Sequence, residues 1–421
     1  MLRKSVLGSI LSTLTRDSLV NFGQILLMPF FLINFGPTDY STWLVVLSYT
    51  SFIVLSDFGM STVIIGRMVI FLEENRLFDL TLWEWFKRKT IALAIFMTLV
   101  VGALFYSKYT DSLTFGFLVS KNSQLFASLS LASFVTISQH FWLYRMQVLG
   151  QNSPAQRTLT LVRLCEVIVL ALLLQINLSI STFAWLFLLC KLILFAGFKV
   201  SLKKYSNQTV TRVIPANNSN ILSPVMSNAL VTTANVISIH GSFIVASAWL
   251  SPRDLISLAI ARMLTSPIRI LGTAITSGAL PYFIRAYHMK NLGVDNLQIL
   301  NLVVRKSLFV VAAIAVFVSF LGELAWNVIG QKEIDFNQML VLLFCISTLS
   351  DSILNLKFQR PLVTNKAFFP SAVYFTATVM FAGFQIFLGN FVGIIAVPMC
   401  IIIADWISLV FLNLSKDKYG N

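Results

Sequence analysis

Twelve stretches of this chain run apolar for about 20 residues, the length an α-helix needs to cross roughly 30 Å of hydrocarbon. They lie near 9–34, 41–65, 89–107, 122–144, 157–177, 182–202, 221–247, 253–283, 304–328, 337–356, 367–388 and 391–413. In lipid every backbone N–H and C=O must be satisfied within the protein, which leaves only helices and closed barrels. The runs lack the short period-two alternation of membrane strands, so they are read as helices. Composition agrees: charged residues are 11% of the chain and mean hydropathy is +0.81, against about 25% charge in a water-soluble domain. The expected fold is all-α and polytopic, with twelve transmembrane helices.

The net charge of +14 raises the question of nucleic acid, and the placement of the cations answers it. With the N-terminus in the cytoplasm, the inner segments hold 22 Lys and Arg, the outer loops hold four, and five fall inside spans. An excess of cations on cytoplasmic loops sets orientation in polytopic proteins, so both termini are expected inside. Trp43, Trp185, Trp249 and Trp326 fall near outer span ends and Trp142 near an inner one, where amphipathic rings sit at the membrane interface. The charge is a topology signal, with no nucleic acid implied.

The four cysteines, Cys165, Cys190, Cys345 and Cys400, lie in apolar segments without metal spacing and read as small buried hydrophobes. No cleavable leader is expected before the first helix, which is read as retained. The connection 66–88 mixes Phe78, Trp83, Trp85 and Phe86 with charges, the pattern of an amphipathic helix lying on the inner leaflet. At the midpoint, 203–220 (KKYSNQTVTRVIPANNSN) is polar and Asn-rich, as a linker would be. A shift of 215 residues lines up Pro37 and Asp39 with Pro252 and Asp254, Arg145 with Arg360, Gly150 and Gln151 with Asn365 and Lys366, and Lys203 with Lys418. The chain is therefore read as a duplicated six-helix unit: an N-terminal lobe at 1–202, a cytoplasmic linker at 203–220 and a C-terminal lobe at 221–421. Six is even, so the pseudo-symmetric bundles share orientation about an axis normal to the membrane, as in transporters.

Three tracts carry a resemblance. Phe35 to Trp43 followed by Leu55 to Met60, the long run from Arg262 to Leu280 and Pro281, and Tyr144–Arg145 followed by Gly150–Gln151 together resemble the Wzx-type O-antigen flippases of the polysaccharide transporter family. That family shares a superfamily with the MurJ-type lipid II flippases and the MATE drug exporters. The resemblance spans the whole chain and specifies the superfamily better than the cargo. It implies a flippase of the bacterial inner membrane that carries an undecaprenyl-diphosphate-linked oligosaccharide to the periplasmic leaflet by alternating access. It also implies a place in lipopolysaccharide and polysaccharide biosynthesis, beside a polysaccharide polymerase and a chain-length regulator as partners.

An ionisable residue inside a span is costly and marks function by default. Here these are Arg16, Asp17, Asp57, Arg163, Glu166, Lys191, Arg262, Arg269, Glu323, Asp351 and Asp405. At a rise of 1.5 Å per residue, Arg262 and Lys191 lie about 12–13 Å from the outer side, near the midplane, and Arg16 and Arg163 about 10 Å from the inner side. Arg262 and Arg269 share a face two turns apart with Ser266 and Thr273, and Pro267 between them is expected to kink the helix. Such a face calls for an aqueous cavity, where Arg16, Arg262, Arg269, Lys191 and Arg163 are candidates to hold a diphosphate through bidentate hydrogen bonds. Asn21, Gln24, Thr232, Thr233 and Asn235 are candidates for the sugars.

The plainer alternative is a set of structural ion pairs. Arg163 and Glu166 can meet at i, i+3, and Asp57 could pair with Arg16 or titrate during transport. Asp17, Asp57, Glu166, Asp351 and Asp405 are coupling candidates with structural or capping roles equally open, and Na+ or H+ is left open as the coupling ion. No cofactor and no metal is expected, and His140, His240 and His288 read as lone polar residues. Pro29, Pro224, Pro267 and Pro398 fall inside spans, with Pro29 and Pro267 as gating kinks. Two other classes compete: a membrane polysaccharide polymerase, disfavoured by short outer loops, and a MATE-like antiporter of organic cations, disfavoured by the cavity arginines. The orientation is directly testable: green fluorescent protein fused after Asn421 should fluoresce while alkaline phosphatase fused there stays inactive, and the opposite pair of results would reverse the topology.

Overall fold

The structure is a computed structural model. It describes residues 2–64, 80–109, 121–148, 152–206, 222–274, 309–329, 334–363 and 367–419, apart from positions 58, 62, 273, 310–311, 319, 321 and 328. No strand occurs among them. The helices are α1 (Leu2–Val54), α2 (Leu80–Tyr109), α3 (Lys121–Val148), α4 (Asn152–Leu173), α5 (Ile180–Ser206), α6 (Leu222–Val236), α7 (Ser242–Ala246), α8 (Pro252–Leu264), α9 (Gln338–Val363), α10 (Phe368–Val392) and α11 (Ala396–Tyr419). A π-turn, Ile237–Gly241, joins α6 to α7, and a 3₁₀ turn, Gly393–Ile395, joins α10 to α11. By length and composition four described segments can each cross a membrane, and the bent pair Pro252–Leu264 with Ser266–Gly272 adds a fifth.

The first two spans run as one element, interrupted where the sequence dictates. Gly36 takes φ 72 and ψ 172, a conformation that costs glycine nothing and other residues a steric penalty. Pro37 follows with its φ already helical. The equivalent position 215 residues on is handled differently: Ser251 is an extended N-cap (φ −67, ψ 159) with Pro252 at the start of α8. The Ser251 hydroxyl accepts from the Asp254 N–H at 3.2 Å and donates to the Asp254 carboxylate at 2.7 Å. Both second spans thus begin on a proline, where the missing N–H is no loss.

Two sequence boundaries need correction. The second span was expected to run unbroken to 65, yet α1 ends at Val54, a turn follows and helical backbone resumes at Met60. Gly59 has φ +71, and the Asp57 carboxylate accepts from the Gly59 N–H at 3.2 Å. The turn is self-capped by the acid, because side-chain acceptors compete with the helix for backbone donors. The interfacial helix expected over 66–88 is also revised: Leu80 to Arg88 belong to α2, while 65–79 lie outside the described residues. Trp83 and Phe86 are buried against Met60 and Ile64, and both rings stack edge-on to Phe141, at 6.4 and 5.5 Å. Their apolar face found protein to pack on, while Trp85 faces outward.

In the first half α1 packs on α2, α3 and α4, and α3 and α4 each pack on α5; in the second half α10 packs on α6 and α11, and α9 on α8 and α11. The halves meet chiefly where α1 lies along α8 and the π-turn. One apolar cluster crosses that seam, joining Trp43, Val46 and Tyr49 of α1 to Phe243, Ile256 and Ile260. At its edge Phe31, Trp43 and Phe183 stack mutually with centroids 5.3–5.5 Å apart. Outward faces are apolar too: Phe384, Phe387 and Phe391 of α10 are exposed, as suits a surface whose solvent is lipid.

Glycines set the closest approaches. A Cβ at Gly59 would come within 2.6 Å of the Thr232 Oγ1 atom of α6, so the turn after α1 rests directly on the other half. A Cβ at Gly389 would lie 2.8 Å from the Trp249 ring, which pins the end of α7 to α10. Gly389→Leu is therefore expected to overpack this contact by about 1–3 kcal/mol, read as a lower thermal midpoint of the solubilised protein; an unchanged midpoint would show that Trp249 swings aside.

Candidate functional site

The polar groups of the second half gather around a bent helix. Just beyond Leu264, Thr265 caps α8 (φ −87, ψ −6), and the axis turns by 44° into Ser266–Gly272. Pro267 lies at the break and cannot donate to the preceding turn. Arg262 sits one turn before it and donates from Nη1 to the Ile239 carbonyl at 2.8 Å. That carbonyl belongs to the π-turn, where the Ser242 N–H reaches back to Ile237. The adjoining Ser238 carbonyl accepts the Ser242 hydroxyl at 2.5 Å, and the Ser242 carbonyl accepts Gln385 Nε2 at 3.0 Å. A wide turn in lipid is tolerated because side chains hold its carbonyls.

Arg262 and Arg269 line one cavity together with Ser238, Ser242, Ser347, Thr348 and Asp351. Its volume is about 20 Å³, room for roughly one water molecule. A diphosphate would need far more room than this cavity gives. Beyond Arg269 the acids begin: it interacts electrostatically with Asp351, Asp405 and the Tyr374 hydroxyl. Asn355 donates to Asp351 at 2.8 Å, Asn235 donates to Asn355 at 3.1 Å, and Tyr374 donates to the Asn235 amide oxygen at 2.7 Å. Asp405 is 1% exposed, and its Oδ2 has no hydrogen-bond partner among the described residues.

Arg262 differs from Arg269 in its counter-charge. Among the described residues it forms no ion pair, and its one hydrogen bond is to a neutral carbonyl. Its positive charge is left uncompensated beside hydroxyls that can donate or accept. A buried cation without a carboxylate favours an incoming anion, which a guanidinium meets with two parallel hydrogen bonds.

The first-half candidates form a separate group. Arg163 and Glu166 pair at 2.6 Å, with side chains 18% and 8% exposed. Lys191, itself 8% exposed, interacts electrostatically with both and lies 5.6 Å over the Phe187 ring. Asp57 caps its own turn and accepts from the Tyr144 hydroxyl at 3.4 Å. The side chains of Arg16, Asp17, Asn21 and Gln24 lie outside the described residues, as do Thr273 and His288. The helix passes Pro29 with helical backbone and breaks at Gly36 instead. Cys345 and Cys400 are buried, but Cys165, expected in the core, is exposed because it faces away from the Glu166 side of α4.

Sequence reasoning overlooked Tyr374, Asn355, Gln385 and the Ser347–Thr348 hydroxyls. Asp351 and Asn355 stand at i, i+4, a spacing that could have linked them; the π-turn has no equivalent signature. No protein-family model and no curated protein matches the chain. Solved structures do match in fold. A mutant of a Vibrio cholerae MATE transporter superposes with TM-score 0.62 at 14% identity, covering 99% of this chain and 97% of that one. An outward-facing multidrug resistance MATE transporter of the MOP superfamily gives 0.60 at 14%, over 99% and 95%. A MOP superfamily transporter from Pyrococcus furiosus, described as having a binding pocket of reverse polarity that suggests a different function, gives 0.60 at 12%, also over 99% and 95%. The fold is that of the MATE transporters, an all-helical polytopic membrane fold.

The Arg163–Glu166 pair makes a clean prediction. Removing Glu166 strands both Arg163 and Lys191 in a poorly solvated place, whereas removing Arg163 leaves Glu166 with Lys191. Glu166→Gln should therefore lower the thermal midpoint more than Arg163→Gln, and equal losses would show that the pair contributes through packing alone.

Proposed function

We propose that the chain is a membrane transporter that moves an undecaprenyl-diphosphate-linked oligosaccharide from the cytoplasmic to the periplasmic leaflet of a bacterial inner membrane. In this reading 1–202 and 221–421 are two bundles that rock about a central passage, joined through 203–220, with both termini inside. A polysaccharide polymerase and a chain-length regulator would act on the delivered unit. The observation that carries the proposal is the Arg262 guanidinium, without an ion-pair partner among the described residues, facing a cavity lined by hydroxyls, Arg269 and Asp351. Arg269, Lys191 and the basic inner loops add to the attraction for an anionic headgroup, and the fold supports transport in preference to catalysis. The Pyrococcus furiosus transporter with a pocket of reverse polarity gives a fold relative in which pocket charge sets function apart.

A second reading has its own support. Asp351 and Asp405 lie in the same polar group as Arg269, and carboxylates beside a cavity suit a MATE-like exporter of organic cations driven by Na+ or H+. The two readings part at Arg262. In proteoliposomes carrying a fluorescent undecaprenyl-diphosphate glycan, Arg262→Ala should slow flipping by about 30-fold or more, the loss of a charge-assisted contact worth ~2 kcal/mol. Arg262→Lys should retain part of the rate, since it keeps charge but not the planar fork. Wild-type rates in Arg262→Ala, or efflux of organic cations that this substitution stimulates, would favour the exporter.

A further inference from the structure

Arg262 stands at the junction of two helix irregularities. Its own helix breaks one turn later with a 44° bend, and the helix it touches carries the π-turn Ile237–Gly241. Wide turns of this kind concentrate at functional sites. The same guanidinium that holds the Ile239 carbonyl at 2.8 Å also lines the cavity, so carbonyl and cavity ligand compete for it. A phosphate oxygen carries full charge and can take two N–H groups, which makes it the stronger partner.

The neighbourhood confines what happens when Arg262 lets go. On one side of the π-turn Asn235 is fixed by Tyr374 and Asn355. On the other, Gln385 holds the Ser242 carbonyl and Gly389 receives the Trp249 ring. Only residues 236–241 lie between these anchors. Gly241 presents no side chain there; a Cβ at that position would meet Ile237 Cγ2 at 3.2 Å and touch the Phe52 ring of α1 at 3.6 Å, so glycine keeps this side of the turn free of a further contact with the first half. A π-turn that moves along a helix rotates each residue it passes by about 100°.

We propose that Arg262 is a positioning residue that couples capture of an anionic headgroup to the register of the helix opposite: phosphate takes the guanidinium from the Ile239 carbonyl, and the π-turn is released to migrate between Asn235 and Ser242. The proposal rests on the anionic-cargo reading above and adds to it a mechanical consequence of binding. Where the cargo sits, the wall that seals the passage changes face.

Amide hydrogen exchange in lipid nanodiscs tests this, with undecaprenyl diphosphate as the probe and uncharged undecaprenol as the control. Retention of radiolabelled lipid by the protein reports binding independently. The diphosphate is expected to speed exchange over 236–243 by about 30-fold, the effect of losing one charge-assisted hydrogen bond, while undecaprenol leaves it unchanged. Arg262→Gln should exchange fast without any lipid and show no further response, with residues 344–356 exchanging as in the wild type. Deletion of Ile239, which removes the extra residue of the turn, should still retain the diphosphate but exchange slowly with and without it. Binding without faster exchange in the wild type, or a lipid response that survives the deletion, overturns the coupling and leaves the anionic-cargo reading standing. Absence of diphosphate binding in the wild type brings down both.

Discussion

The governing constraint in this molecule is that a carbonyl oxygen inside a membrane must find a donor. Straight helices meet it automatically, so each departure from straightness has to be held by something else. The π-turn between α6 and α7 is held by a serine hydroxyl, a glutamine amide and an arginine guanidinium from three different helices. The break beyond Leu264 is met by Thr265, whose hydroxyl donates back to Ala261 and Arg262 at 3.2 and 3.1 Å. The polar residues of the second half are therefore first of all the means by which irregular backbone survives in lipid. Their chemistry toward a ligand is exercised from that position.

This accounts for how far the sequence could be read. Helices, spans and orientation follow from long apolar runs and from loop cations, because lipid thickness and backbone satisfaction leave few alternatives. The bend by Pro267 and the break at Gly36 follow from residues whose backbone behaviour is local. The π-turn was not legible, since nothing in Ile237 to Gly241 distinguishes a wide turn from a regular one until its partners on α8 and α10 are in place. The same limit applies to Trp83 and Phe86. Their spacing marks an amphipathic face, and only tertiary structure decides whether lipid headgroups or Met60 and Ile64 cover it.

Among the buried charges, residue type was legible and pairing was not. Arg262 and Arg269 share a helix face and look equivalent on paper. Contacts from other helices divide them: Arg269 lies within reach of Asp351 and Asp405, whereas Arg262 reaches a carbonyl. In a medium of low dielectric that difference separates a neutralised structural cation from an available one. Among the described residues of the first half the buried cations are committed, for Arg163 pairs with Glu166 and Lys191 shares the same acid. Among the described residues, Arg262 is thus the buried guanidinium without a carboxylate partner.

The turn after Val54 reaches the opposite half through Gly59, with Thr232 so near that no side chain fits between them. Beside it only Val225 of α6 packs on the small apolar cluster of Met60 and Ile64, so parting the halves here uncovers less apolar area than parting the large cluster does. Further back along the same span the halves are joined by Trp43, Tyr49 and their apolar neighbours, where separation exposes large rings. One end of the contact is thus a latch of low strength and the other a stiff joint, which gives any rocking of the halves a preferred end to open first.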